Sequence, residues 1–250
     1  MKKEGVYKDN TIYGRNPVLE SLQRATDIDK VLILKSIRGA FEKEVRKLCR
    51  ERNIPLQYVP SNKLDRITRK NHQGIIAFTT LVEYQDLEQI IPFLYEKGTD
   101  PLILLLDGIT DVRNFGAIAR SAEVFGADAI VIGEKNSARI TNDAVKTSAG
   151  AIMKIPICRE KNLRNAIQFL KESGFSIFSS DLNTDYSIQD INFNQPCVVI
   201  LGSEGLGVSR SITEECDQSF KIPQIGETDS LNVSVATGVI LYEIMNQRSV

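Results

Sequence analysis

The chain has 250 residues, 42% hydrophobic and 25% charged, with a formal net charge of −1. That length suits one large or two small globular domains, and no apolar run reaches the ~18–20 residues of a membrane span. The opening MKKEGVYKDN is too polar for the apolar core of a secretory signal, so a cytoplasmic address is expected.

Cys49, Cys158, Cys197 and Cys216 are scattered without CxxC spacing, and His72 is the one histidine. Reduced, mostly buried thiols and no metal site are therefore expected. Charge is distributed unevenly. Residues 1–80 carry 17 Lys and Arg against 9 Asp and Glu, and the remainder carries 14 against 23. This suggests a basic module joined to an acidic one. A basic module attracts polyanions, although a solvated basic surface without a partner gives the same count.

In chain order, Asn16-Pro17 predicts a helix start, with Asn as the cap and Pro in the first turn of PVLESLQRA. DKVLILK (29–35) reads as a strand, GAFEKEVRKLCRERN (39–53) as a helix and PLQYV as a strand. Ser61 is a candidate cap for a short helix, and GIIAFTTLVEY (74–84) is β-rich. These make a compact α/β unit over 1–82. Residues 83–100, with DLEQIIPFLYEKGTD, read as a connector holding a short helix. Residues 101–250 then alternate strand and helix: PLILLLDGI, NFGAIARSAEVFGA, DAIVIG, TNDAVKTSAGAIM, KIPIC, NLRNAIQFLKESG, FSIFSSD, PCVVILG, QSFKIP, and a terminal helix from 231. PLILLLDGI is apolar enough for a strand buried on both faces, and the rhythm predicts a mostly parallel sheet covered by helices.

In such sheets ligands bind beyond the carboxyl ends of strands, and three polar clusters fall there. In LDGITDVRNFGAIAR, Asn114 is expected where the helix begins, with Arg120 further along it; a capping Asn and a solvent-facing Arg is the plain alternative. In LGSEGLGVS, Gly202, Gly205 and Gly207 form G-x-x-G-x-G. This is neither the dinucleotide fingerprint nor a Walker loop, and Glu204 would repel a phosphate. The glycines permit close backbone approach to something that is not an anion, or simply make a tight surface turn. In IPQIGETDSLNVSVATG, Ser230, Asn232 and Ser234 are small polar residues at the mouth of an otherwise apolar helix. They present its N-terminus to a site, or Ser230 merely caps it.

Together these stretches resemble the SpoU/TrmH family of RNA 2′-O-ribose methyltransferases, within the SPOUT class. NFGAIAR (114–120), VVILGSEGLGVS (198–209) and IPQIGETDSLNVSVATG (222–238) look like its three motifs, in order and with the right spacing. YGRNPVLESL (13–22) and HQGIIA (72–77) look like the ribosomal-protein-like substrate-binding domain found in many members. The subgroup most resembled methylates a guanosine ribose in bacterial 23S rRNA. The implied fold is a parallel-sheet domain with a deep trefoil knot, preceded by that small α/β domain.

The resemblance implies S-adenosyl-L-methionine as cofactor, held by Gly202, Ile222, Ser230 and Leu231. It implies a catalytic set of Asn114, Arg120, Glu204 and Asn232. Arg120 would lie nearest the acceptor hydroxyl. Arg120 would serve either as the general base or, since a guanidinium stays protonated, as the group that orients the acceptor phosphate and stabilises alkoxide charge, the role preferred here, held in place by Asn114 and Glu204. Arg15, Asn16, His72 and Gln73 are the implied RNA contacts, and a homodimer using helix 231–246 is implied too. The alternatives are a tRNA ribose methyltransferase, a methyltransferase conferring antibiotic resistance by modifying the ribosome, and a non-catalytic RNA-binding or ribosome-assembly protein.

Overall fold

A computed structural model describes residues 11–24, 28–52, 54–79, 81–226 and 230–249. The chain divides into two compact units, 1–81 and 82–250.

The first unit holds β1 (Thr11–Tyr13), α1 (Arg15–Gln23), β2 (Ile28–Leu34), α2 (Ala40–Glu51), β3 (Leu56–Val59), α3 (Ser61–Ile67) and β4 (Ile75–Thr79). Its mixed sheet runs β1-β4-β2-β3, with β4 antiparallel to both neighbours and β2 parallel to β3. Alternation along β2 builds two cores. Val31 and Ile33 face α1 and α2 with Val18, Leu22 and Val45, while Leu32 faces Leu64 of α3.

Two helix starts differ from the sequence expectation. Gly14, at φ 95, is the N-cap of α1, so Asn16 and Pro17 already lie inside the first turn. Pro60 stands at the cap of α3, with Ser61 its first residue and no side-chain cap bond. In both cases a residue ahead of the polar one carries the non-helical backbone.

The second unit begins with α4 (Leu87–Glu96), which lies in the stretch read as a connector. Asp86 caps it, and Leu87, Ile91 and Leu94 are buried in the unit's core beside Ile103, Leu105 and Val131. Then follow β5 (Leu102–Asp107), α5 (Val112–Val124), β6 (Ala129–Gly133), α6 (Asn142–Thr147), β7 (Ile157–Glu160), α7 (Leu163–Glu172), β8 (Ser176–Ser180), β9 (Cys197–Gly202), α8 (Arg210–Thr213), β10 (Gln218–Phe220) and α9 (Val233–Arg248). The six-stranded sheet runs β10-β8-β9-β5-β6-β7, and every pairing is parallel. β5 and β9 are central and apolar because both faces are covered. α4 and α7 lie over one face, while α5 and α9 pack on each other and on the strands from the other.

The expected helix TNDAVKTSAGAIM is instead α6, a break, and a 3-10 turn at Ala151–Met153. Ala149 and Gly150 take left-handed backbone there. The break coincides with the close approach of α5: a Cβ on Gly116 would lie 2.9 Å from the Ala144 carbonyl and 3.3 Å from the Ser148 nitrogen. Arg248 ties down the far end of α9 by donating to the carbonyls of Phe193, Asp100 and Gln195. All four cysteines are free, and burial pushes Cys158 up to about 12 and Cys49 and Cys197 to about 11, which keeps these thiols protonated and inert.

Candidate functional site

The site of the second unit is built where β5 and β9 end. Their register sets Asp107 beside Gly202. A Cβ on Gly202 would lie 1.9 Å from the Gly207 carbonyl carbon and 2.1 Å from the Val208 nitrogen, so only glycine fits. The loop folds back at that point. Ser203 and Gly207 exchange backbone hydrogen bonds of 3.1 and 2.9 Å, and Gly205 and Gly207 turn it with φ of 85 and 66. The Asp107 carboxylate accepts from the Ser209 N–H at 2.8 Å and anchors the loop's exit. The three glycines therefore shape a loop that packs on itself, with Leu206 exposed at its tip. Asp107 received no role from the sequence; its place opposite Gly202 becomes visible only with the strand order.

Asn232 is the hub of the polar cluster. Its Nδ2 donates to Oδ1 of Asn114 at 3.1 Å and also to the Glu204 carboxylate. Its Oδ1 accepts from the Ser234 N–H at 2.9 Å and the Ser234 hydroxyl at 2.6 Å, which makes Asn232 the N-cap of α9. Every polar atom of this side chain is used, and the two ends cannot be exchanged: one faces two donors, the other two acceptors. The helix accordingly begins at Val233, and the cap is Asn232, where the sequence alternative had Ser230.

The start of α5 also corrects an expectation. Asp111 caps it, accepting from the N–H groups of Arg113 and Asn114 at 2.8 and 2.9 Å. Asn114 therefore sits inside the first turn, with its side chain free to reach Asn232. Asn114 and Glu204 engage Asn232 rather than Arg120. Among the described residues the exposed Arg120 guanidinium has no hydrogen bond or ion pair, so its donors are available. Arg113, seven residues earlier, shares its face of α5.

Residues 222–226 and 230–231 flank this cluster in sequence; residues 227–229 lie outside the described residues. Among the described residues, the backbone groups of 222–226 and 230–231 make no hydrogen bond. Ile222 is half-buried, while Ile225 and Leu231 are exposed. Uncommitted backbone donors and acceptors beside apolar side chains suit the edge and faces of a purine. Glu204 adds a carboxylate that suits a cationic centre, and the site has no phosphate-binding motif. A sulfonium nucleoside such as S-adenosylmethionine fits that donor set.

In the first unit the structure brings Arg15 and Gln73 together. Oε1 of Gln73 accepts from the Arg15 N–H at 2.9 Å, and the Arg15 guanidinium lies 5.1 Å from the Phe41 ring centre. Asn16 is exposed beside them. His72 has both nitrogens engaged: Nδ1 accepts from the Gly74 N–H at 3.0 Å, and Nε2 faces Asp65 at 3.1 Å. With Nδ1 accepting, Nε2 donates to Asp65, and the ring braces the turn at Gln73 and Gly74. Lys70, 5.4 Å from the Tyr13 ring centre, extends the cationic surface and was not singled out from the sequence.

The all-parallel sheet carries a polar cluster and a glycine-rich loop beyond its central strands β5 and β9, the usual place for a ligand in an α/β fold. Residues 101–242 match the model of the SpoU rRNA methylase family, and residues 11–85 match the RNA 2′-O ribose methyltransferase substrate-binding model. A Staphylococcus aureus relative assigned to the TrmH family of tRNA/rRNA methyltransferases is 34% identical over 241 residues, covering 96% of this chain and 97% of its own. The SpoU methyltransferase AviRb of Streptomyces viridochromogenes shares the fold, with TM-score 0.62 and 23% identity over 96% of this chain and 90% of its own. The A. aeolicus TrmH/SpoU tRNA modifying enzyme aligns with TM-score 0.56 and 31% identity over 65% of this chain and 84% of its own. The chain belongs to the SpoU family of RNA 2′-O-ribose methyltransferases. Among the described residues no helix is long and apolar enough to cross a membrane.

Proposed function

We propose that this enzyme methylates the 2′-hydroxyl of a guanosine ribose in 23S rRNA, using S-adenosyl-L-methionine, in the cytoplasm. The observation that carries the reading is the Asn232 hub. It joins Asn114 and Glu204, 118 and 28 positions away, to the cap of α9, while Arg120, in the motif of Asn114, keeps its donors free among the described residues. A structural cap needs only Ser234; the two further acceptors serve a site.

S-adenosylmethionine supplies a methyl group already activated on sulfur. Gly202, Ile222, Ser230 and Leu231 hold it, largely through backbone groups of two loops that the family ties into a knot. Glu204 favours the positive charge. Arg120 orients the acceptor phosphate and stabilises the alkoxide as it develops. Asn232 fixes Asn114 and Glu204 at the mouth of α9. Residues 1–82 act as the RNA-binding domain through Arg15, Asn16, His72 and Gln73, with His72 acting through the turn it braces.

A homodimer completes the reading. Val235, Val239, Tyr242 and Met245 are 52%, 40%, 56% and 38% exposed and recur at helical spacing along α9. An apolar stripe on a helix this central suits a second copy of the chain. Tyr242→Glu is expected to give a monomer by light scattering at micromolar concentration.

The test of the function is transfer of labelled methyl to protein-free 23S rRNA and to bulk tRNA, with Arg120→Ala as control. Label on a ribose of 23S rRNA alone, lost in the variant, supports the proposal. Label in tRNA alone keeps the chemistry and replaces the substrate, the second reading favoured by the 31% identity to the A. aeolicus enzyme. No label in either RNA, with cofactor bound, overturns it for free RNA.

A further inference from the structure

The first unit carries a second cationic feature, apart from the Arg15 and Gln73 cluster. Lys35, Arg38, Glu42, Arg46 and Tyr58 line a cavity of about 560 Å³. It opens where the parallel strands β2 and β3 end: Leu34 pairs with Val59, and the Lys35 N–H donates to the Val59 carbonyl at 2.9 Å. The carboxyl ends of parallel strands are the usual place for a ligand, and the volume lies in the range of about 300–1,000 Å³ of ligand sites.

Its chemistry is ordered. Glu42 is buried, accepts from the Tyr58 hydroxyl and pairs with Arg46 at 3.6 Å. That hydrogen bond pushes the Tyr58 phenol up, so the hydroxyl stays a donor and the ring stays neutral. Tyr58 is 38% exposed, and its hydroxyl is held by Glu42. Arg38 is braced by one nitrogen, Nη1, on the carbonyls of Lys35 and Ile37 at 2.6 and 2.8 Å, which leaves its other donors for a ligand. The Lys35 ammonium has no partner among the described residues. Three cations against one buried, already satisfied carboxylate call for an anion. An exposed, immobilised aromatic ring beside them calls for a flat face.

We infer that this cavity is a single-stranded RNA subsite, in which Lys35, Arg38 and Arg46 take backbone phosphate and Tyr58 stacks a base. A free phosphate would use the cations but not the ring, and a nucleic acid duplex would offer no unstacked base. The cavity also adjoins the other RNA cluster. A Cβ on Gly74 would lie 2.6 Å from Ile37 Cδ1, so the 35–38 loop is clasped against the turn that bears Gln73. The inference rests on the reading of this chain as an RNA enzyme and extends its RNA path to residues that no motif marks.

The test uses the full-length chain, a fluorescent single-stranded oligoribonucleotide, and anisotropy titrations across a KCl series. Lys35→Ala/Arg38→Ala should weaken binding and flatten the dependence of log K on log salt by about 0.7 for each phosphate no longer neutralised. Tyr58→Ala should weaken binding about 5-fold or more, whereas Tyr58→Phe should remain within about twofold of wild type, because stacking survives removal of the hydroxyl. Both tyrosine variants remove the Glu42 partner, so their difference isolates the ring.

Equal affinities for the two tyrosine variants, or an unchanged salt slope for the double variant, overturn the subsite. Joint loss of RNA and S-adenosylmethionine binding marks a structural role and overturns it too. If the wild type methylates RNA while the cavity variants bind like wild type, only this inference falls. If the wild type neither binds nor methylates RNA, the proposed function falls with it.

Discussion

The two units place polar clusters at comparable points, beyond the carboxyl ends of parallel strands, but build them from different material. In the second unit a loop packed on its own backbone carries part of the cluster: Gly202 has no room for a Cβ, and Ser203 and Gly207 pair with each other. In the first unit it is mostly long side chains on an ordinary scaffold: Arg15 on Phe41, Lys70 on Tyr13, and Arg38 and Arg46 around Tyr58. Backbone geometry recognises one small ligand and fails as a whole. Side-chain cations recognise a repeating polyanion and fail by increments. The comparison therefore predicts steep losses from single changes in the second unit and graded losses in the first.

The steepest should come from Gly202→Ala. With 1.9 Å between the new Cβ and the Gly207 carbonyl carbon, the loop must leave its position. Calorimetry should find S-adenosylmethionine binding abolished while far-ultraviolet circular dichroism keeps the sheet and helices. Retained affinity would show that the loop does not form the pocket. Arg120→Ala should follow, lowering methyl transfer about 10²–10³-fold, the scale of one removed charge-stabilising donor. Cofactor affinity and thermal midpoint should hold, since Arg120 pairs with nothing among the described residues. A fallen midpoint would instead make it structural.

The same contrast explains what was legible in the sequence. The βαβ rhythm gave the parallel sheet because β5 and β9 are buried on both faces and so are apolar throughout. Asn114, Glu204 and Asn232 were recognisable as a set, but their pairing was not. Asn114 looked like a cap because Asp111, the actual cap, lies three residues earlier in an equally polar stretch. Asn232 as hub required knowing that α9 begins one residue later. The 83–100 stretch read as a connector because its polar flanks obscure Leu87, Ile91 and Leu94 on one face of α4. The broken helix at 148–150 depends on the approach of Gly116 from α5, a tertiary contact without a local signal. In the first unit, Lys35, Arg38, Arg46 and Tyr58 carry no signal separately; only the parallel pairing of β2 and β3 gathers them.

Between the extremes lies Asn232, which serves fold and site together. Asn232→Ala should remove the cap of α9, costing about 1 kcal/mol, and release Asn114 and Glu204, reducing methyl transfer about 100-fold through misplacement. Asn232→Asp keeps a good cap but sets a second carboxylate against Glu204. Its stability should stay near wild type while activity falls. Equal stability losses in the two variants would remove the distinction between cap and hub. Gly116→Ala belongs at the same level: its Cβ would lie 2.8 Å from Thr147 Cβ. The overpacking should cost about 1–3 kcal/mol, seen as a lower midpoint for the second unit's unfolding.

The smallest effect should come from Arg15→Ala. The backbone N–H of residue 15 remains to donate to Gln73, so the turn keeps its hydrogen bond, and only the guanidinium on Phe41 is removed. One phosphate fewer neutralised predicts a salt slope shallower by about 0.7–0.9 and no change in cofactor affinity. Because several cations share the load, the affinity loss at moderate salt should be a few-fold, with methylation restored by raising the RNA concentration. A loss of kcat that added RNA does not repair would mean that Arg15 reports to the chemistry. The contrast between an all-or-none second unit and a graded first unit would then fail at its gentlest point, where a single side chain separates binding from catalysis.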